Sequence, residues 1–431
     1  MSGTVSARLM GTLDEKFISS AEALATMVNH ATFLLDGRGL RRTDGSLDEE
    51  AISGRIERLS WRFPPMRQRL MPSPLGITTP AWVPVTQLRA STHVRFLARD
   101  DDADEAYALS GLGLPPLDLT EPPWDITVLD LGPERIALVV RIHHVMGDGI
   151  LLARLLTALT DPSPDAGPPL REATVEAGLG RPPRNGPDLL LHAFSSWWQE
   201  QSSASAAWRE YWRKPFQRRI RRWAGRLRRR LGRGGQAPTL TAGSSAATVA
   251  YVSGEFGTLK ANAATLAGSV NDLIVAATLA AASELNPNRT DVAILVPYSR
   301  RRPPDARNHV SMARVSAPRG SSMKDFIPLS ARTLRLAILG KLPPESPDDV
   351  RASGYATIVP WQQETRYFGP ARVLSLIGWP TVDAGDQLGC LATTYDGEVM
   401  IAMRSRTAAD IVALQTHLQK IVTAETGLEG P

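Results

Sequence analysis

Residues 161–188 carry the strings DPSPDAGPPL and GLGRPPRNGPD without hydrophobic periodicity, the composition of a loop rather than of a packed element. A break of that length inside a 431-residue chain limits the fold more than any other feature. A single hydrophobic core stops growing at roughly 250–300 residues, so the chain reads as two lobes. The first lobe is expected over residues 1–160 and a linking region over 161–247. The second lobe follows over 248–431. Short strand-like and helix-like runs alternate on both sides of the break, which makes the class mixed α/β, in the α+β sense. In the first lobe a mostly apolar strand at 135–144 runs into a helix at 150–159. In the second, the sequence predicts a helix over 270–284, a strand over 292–296, a Pro/Arg-rich loop over 299–307 and a strand–turn–strand over 391–403.

Several classes of protein are excluded by simple counts. The single cysteine, Cys390, permits neither an internal disulfide framework nor a cysteine-based metal cage, in keeping with a reducing compartment. It lies in the apolar run 388–391 and reads as a buried small hydrophobe. The N-terminal residues lack a basic region followed by an apolar core, so a cytoplasmic location is expected. No stretch reaches the roughly 18 to 20 apolar residues of a spanning helix, since the nearest run, 270–282, carries Asp272. Any membrane contact is therefore expected to be peripheral.

The strand at 135–144 ends in His143-His144-Val145-Met146-Gly147-Asp148-Gly149. Side chains alternate along a strand, so His144 shares a side with Ile142 and Val140, while His143 shares one with Arg141 and Val139. The two imidazoles face opposite ways. That arrangement suits one ring directed at a reacting group and one packed behind it, better than two ligands converging on an ion. A metal pair of His144 and Asp148 lacks a third ligand nearby, and no metal is expected. Moving an acyl group from a thioester to an alcohol requires a base for the hydroxyl proton, and neutral imidazole has a suitable pKa near pH 7. His144 is the candidate base, with His143 behind it. Asp148 is assigned a mainly structural part, holding the loop, and Gly147 and Gly149 permit tight turns around it. The competing reading is a histidine pair that is simply packed and hydrogen-bonded at a strand end. Two histidines, the aspartate and the glycine in this order after a strand favour function. His143 and Asp148 also form HxxxxD, the spacing of glycerol-phosphate acyltransferases.

At this point the chain resembles the bacterial wax ester synthase/diacylglycerol acyltransferases, relatives of the nonribosomal condensation domains. The likeness begins at LMGTLDEKFISSAE and continues through PPMRQRLM, PAWVPV and PLDLTEPPWDITVLDL into RIHHVMGDG. Downstream, SVNDLIVAATLAAA is similar to the family's ND-containing helix, VPYSRR to its VPVSxR strand, NHVS to its GN-containing segment and TYDGEVMIAM to its late hairpin. The resemblance implies two chloramphenicol-acetyltransferase-like lobes with an active-site tunnel between them. It implies acyl-CoA as co-substrate without a further cofactor, and direct transfer to the alcohol at His144 with no acyl-enzyme. The acceptor would be diacylglycerol or a fatty alcohol. Asn271, Asp272 and Asn308 would shape the site from the second lobe, although Asn271 and Asp272 read equally well as a helix N-cap. The chain departs from the family at PPW (ending at Trp124, with Asp125 following), at TMVNHATFLLDG and at LSLIGWPTVDAGD, differences that bear on the acceptor. Two alternatives stay open: a condensation-like enzyme that takes its acyl group from a carrier protein, and a non-catalytic lipid-binding homologue.

The remaining signal is electrostatic. Of a net charge of +5, residues 213–233 contribute +11 with no acid, which leaves −6 on the rest of the chain. Large apolar residues recur through this region at Trp208, Trp212, Phe216, Ile220, Trp223, Leu227 and Leu231, a helical spacing, with Arg218, Arg219, Arg221 and Arg222 on the other faces. Such a stripe fits an interfacial helix on an anionic membrane or lipid-droplet surface, made by Trp212, Phe216, Trp223 and those arginines. It fits a packed linker helix as well. Nucleic acid is not expected, because no base-reading module accompanies the charge.

Overall fold

The computed structural model describes residues 7–11, 14–18, 27–73, 79–85, 87–98, 104–164, 183, 185–189, 191, 247–299, 307–308, 310–342, 351–381 and 386–423. The basic stripe, with Trp212, Phe216, Arg218, Arg219, Arg221, Arg222 and Trp223, lies outside the described residues.

Along the first part of the chain come β1 (Arg8–Leu9), a 3-10 turn (Asp14–Ile18), β2 (Val28–Asp36), α1 (Glu49–Leu59), β3 (Gln68–Met71) and β4 (Ala81–Pro84). They are followed by α2 (Ala90–His93), β5 (Val94–Ala98), α3 (Glu105–Ser110), β6 (Trp124–Asp130), β7 (Arg135–His143) and α4 (Gly149–Ala158). The second part contains β8 (Thr248–Glu255), α5 (Phe256–Thr265), α6 (Val270–Leu285), β9 (Asp291–Ser299), β10 (Val310–Pro318), α7 (Met323–Ile338) and β11 (Gly354–Pro360). It closes with β12 (Tyr367–Phe368), β13 (Ala371–Trp379), β14 (Leu388–Tyr395), β15 (Glu398–Ser405) and α8 (Ala408–Val422). The expected strand at 135–144 and the helix after it are β7 and α4. The expected strand–turn–strand is β14 and β15, whose connection places Asp396 and Gly397 at positive φ, the left-handed pair that suits a tight hairpin.

Two six-stranded sheets dominate, in the orders β12-β13-β2-β7-β6-β5 and β10-β9-β11-β14-β15-β8, beside a small sheet β1-β4-β3. β7 is central to the first sheet and, beyond Arg135, buried along its whole length. Both its faces are covered, which explains why its sequence is a continuous apolar run rather than an alternating one. Leu138, Val140 and Ile142 join the main core of the first lobe with α1 and α4. Ala137 and Val139 face the other way and pack with Val249, Met400 and Ala402 of the second sheet. The lobes therefore meet through an apolar layer.

The pairing of strands does not follow the boundary at residue 248. β12 and β13 belong to the C-terminal part of the sequence, yet β13 lies antiparallel to β2 in the first sheet, from Val373 opposite Leu35 to Trp379 opposite His30. The chain leaves the second sheet after β11 and returns to it at β14. Nothing in the apolar pattern of residues 371–379 says which strand it pairs with, because period-2 patterning fixes a buried face and not a partner. Gly378 records how closely the two sheets approach: a Cβ there would lie 2.5 Å from Leu391 and 2.7 Å from Thr393, both on β14. No single described helix is long and apolar enough to cross a membrane.

Candidate active site

β7 ends at His143, and the chain turns tightly into α4. The Met146 N–H donates to the His143 carbonyl at 2.8 Å and the Gly147 N–H to the His144 carbonyl at 3.2 Å. Asp148 is the N-cap of α4: its Oδ1 accepts from the Ile150 and Leu151 N–H groups at 3.2 Å each, satisfying donors that an apolar helix start would otherwise leave open. At Gly147 a Cβ would stand 2.7 Å from Cβ and Cδ2 of Leu151, so only glycine lets the turn lie down on the helix. Asn29 of β2 fastens the same turn by donating to the Gly147 carbonyl at 3.2 Å. Gly149, the first residue of α4, lies against Val359 of β11.

The two histidines occupy different environments. His143 is fully buried, and its Nδ1 accepts the Val145 N–H at 3.2 Å, which puts its ring proton on Nε2. His144 is half-buried and faces residues from both lobes. Phe17 stacks on its ring with centroids 4.6 Å apart and planes 8° apart. Asn308, at the entry to β10, places its Oδ1 3.3 Å from His144 Nδ1. The Asn308 amide nitrogen lies 2.8 Å from the His144 carbonyl and 3.0 Å from Asp14 Oδ1. The second lobe touches the motif again at Asp148, whose N–H donates to the Arg307 carbonyl at 3.3 Å.

Charge around the motif is arranged by burial. Arg307 stacks its guanidinium 3.9 Å above the Trp82 ring and donates to Gln68, and burial lowers its pKa to about 9. Arg141 of β7 grips the buried Asp125 with two hydrogen bonds, at 2.8 and 2.6 Å, and Arg95 adds a third at 2.8 Å. His30 faces this pair from β2, and burial brings its pKa down to about 4, so the ring is neutral at pH 7. An apolar pocket opens between β2, α4, β13, β14 and the end of β11. Leu152 and Leu156 of α4, Trp361, Leu376 and Trp379 form most of its wall, and Asn29 and His30 supply its polar edge. Its empty space, mouth included, is about 420 Å³.

The other expected site residues are placed as follows. Asp272 completes a capping box with Ser269 at the start of α6, and its second oxygen accepts from Ser330 of α7 at 2.7 Å. The N-cap is thus Ser269 and neither residue of the expected pair: Asp272 closes the capping box from the third helical position, and Asn271 sits half-buried in the same first turn. Asn308, by contrast, is in direct contact with His144. Among the described residues no group of three or more His, Cys, Asp or Glu could hold a metal ion. Cys390 is buried, and burial pushes its thiol up to about 12. Sequence reasoning missed Asp14, Phe17, Asn29, His30 and Trp361. Asp14 and Phe17 fall inside LMGTLDEKFISSAE, but nothing in that string's spacing marks a carboxylate or a ring for a site 130 residues away.

This arrangement of two six-stranded sheets that meet through an apolar layer defines a class of fold. A wax ester synthase/diacylglycerol acyltransferase from Marinobacter aquaeolei VT8 shares it with a TM-score of 0.59 at 15% identity, covering 96% of this chain and 98% of that one. The first condensation domain of the CDA synthetase does so with a TM-score of 0.60 at 14% identity, over 97% of both chains. Polyketide synthase associated protein 5 from Mycobacterium tuberculosis aligns with a TM-score of 0.56 at 16% identity, over 98% of both. Within that class, residues 10–315 match the wax ester synthase/diacylglycerol acyltransferase catalytic domain, and the chain belongs to this family. A Mycobacterium tuberculosis protein named as a diacylglycerol O-acyltransferase is 32% identical over 110 residues, 25% of this chain. The matched stretch spans only 23% of that relative's length.

Proposed function

We propose that the protein transfers an acyl group from acyl-CoA to an alcohol, forming triacylglycerol from diacylglycerol or a wax ester from a fatty alcohol, with His144 as general base. The observation that carries this reading is the placement of His144: half-buried where the two lobes meet and held by Phe17 and Asn308. An apolar pocket begins beside the same turn, at Asn29 and Gly149. Neutral imidazole takes the hydroxyl proton as the alcohol oxygen bonds to the thioester carbonyl carbon. When the tetrahedral intermediate collapses, the carbon–sulfur bond breaks and the proton passes to the departing CoA thiolate. Ester and free thiol are the products, and the histidine ends neutral. Leu152, Leu156 and Trp361 offer an apolar wall to the hydrocarbon part of a substrate, and His30, neutral at pH 7, adds no charge to oppose it.

Turnover of acyl-CoA against a panel of diacylglycerols, fatty alcohols and short alcohols is the direct measurement. His144→Ala is expected to lose about two or more orders of magnitude in kcat, the usual size of a general-base contribution. Retained turnover in that variant would remove His144 from the mechanism. A wild-type protein that ignores acyl-CoA but accepts an acyl carrier protein would move the donor to the condensation-like class.

A further inference from the structure

We infer that Asp14 is a positioning residue for His144: through the Asn308 side chain it determines which imidazole nitrogen holds the lone pair. The inference rests on the reading of His144 as base. The Asn308 amide nitrogen lies within hydrogen-bonding distance of two oxygens, the His144 carbonyl at 2.8 Å and Asp14 Oδ1 at 3.0 Å. A carbonyl oxygen only accepts, as does a carboxylate, so the amide end between them is the NH2, with one hydrogen for each. The amide oxygen must then face His144 Nδ1, at 3.3 Å. Because that oxygen can only accept, Nδ1 carries the ring hydrogen and the lone pair resides on Nε2.

Turning the amide over would present its NH2 to Nδ1 and move the lone pair to that nitrogen. It would also set Oδ1 against two acceptors at once. Asp14 supplies one of those two contacts, and its carboxylate is buried, where an unmade hydrogen bond is costly. Without Asp14 only the His144 carbonyl holds the amide in its present sense. The same 3-10 turn delivers Phe17, whose stacked ring sets the plane of the imidazole. The turn at Asp14–Ile18 therefore governs two properties of the base, its plane and its tautomer, although it lies 294 residues from Asn308 in sequence.

The test combines kinetics with a direct reading of the tautomer. In protein labelled with 15N-histidine, the His144 signals are assigned among the seven histidines by their loss in His144→Ala, and wild type is expected to show a hydrogen on Nδ1. Asp14→Ala should give a mixture of tautomers and lower kcat roughly ten-fold or more, as loss of a tautomer-setting partner does elsewhere, with KM little changed. Asp14→Asn keeps an acceptor oxygen toward Asn308 and should keep both the tautomer and most of kcat. If Asp14 affects kcat through the Asn308 amide, Asp14→Ala should cost nothing further in an Asn308→Ala background. Asp14→Leu, which keeps the side-chain volume, makes the same measurement where the alanine variant does not fold. Unchanged nitrogen shifts in Asp14→Ala, losses that multiply in the double variant, or an Asp14→Asn as impaired as Asp14→Ala would each overturn the inference. Turnover that survives His144→Ala would instead overturn the base, while the tautomer measurement still decides the role of Asp14.

Discussion

At the scale of single residues, His30 shows how burial alone sets a charge state. It sits on β2 with Nδ1 2.5 Å from the Ser110 carbonyl, and it is enclosed. Desolvation lowers its pKa to about 4, and the nearby Arg141 and Arg404 act in the same direction against the Ser110 hydrogen bond and Asp125. In the unfolded chain the same ring titrates near 6.5. Between those values the unfolded state binds a proton that the folded state refuses, so stability is present above about pH 6.5 and is lost as pH falls toward 4. The full effect is on the order of 3 kcal/mol. His30→Asn, which keeps a donor for Ser110, should remove this component while leaving the carboxylate titrations in place. Urea unfolding of both proteins at pH 7, 5.5 and 4 checks it: the gap between them should narrow as pH falls. Parallel curves would mean that His30 titrates normally in the fold.

At the scale of elements, local signals were legible and long-range ones were not. The apolar run ending at His143 and the Asp-Gly step before the next apolar run announced β7, the turn and α4 in order, because strand burial and N-capping are written in adjacent residues. A cap at the start of α6 was legible in the same way, although the sequence reading put it on Asn271 and Asp272 and the structure puts it on Ser269, with Asp272 completing the box. The contact of Asn308 with His144 bridges 164 residues, and no periodicity encodes it; only the resemblance of NHVS to a family segment pointed there. β13 was readable as an apolar run but not as a partner of β2. The cap at Asp148 leads to a prediction of its own. Asp148→Ala leaves the Ile150 and Leu151 N–H groups without their side-chain acceptor, and should lower stability by about 0.5–2 kcal/mol. Asp148→Asn, still an acceptor, should recover most of that loss. Chemical unfolding of the pair measures it, and equal stabilities for wild type and Asp148→Ala would show that the carboxylate does not cap the helix.

At the scale of the whole molecule, the exchanged strand changes what counts as a lobe. Cutting the chain at residue 247 would strip β12 and β13 from the first sheet and make β2 an edge strand. Its backbone groups opposite β13 would go unpaired, and the core around Phe33 and Leu35 would lose Val373 and Leu376. An exposed apolar edge of that kind favours aggregation over folding. Residues 1–247 expressed alone should therefore lack a cooperative unfolding transition, and co-expression with residues 248–431 should restore a soluble complex by returning β13 to its place. The apolar layer that joins Ala137 and Val139 to Met400 and Ala402 acts in the same direction, since neither sheet can open without exposing the other. The intact protein should unfold in one transition, with tryptophan fluorescence and far-UV circular dichroism coincident in urea. Two separated transitions, or a stable and cooperative 1–247 fragment, would mean that β13 is only loosely held by β2. Such a loosening would also free Asn308 to leave His144, because the contact between them depends on the two sheets staying together.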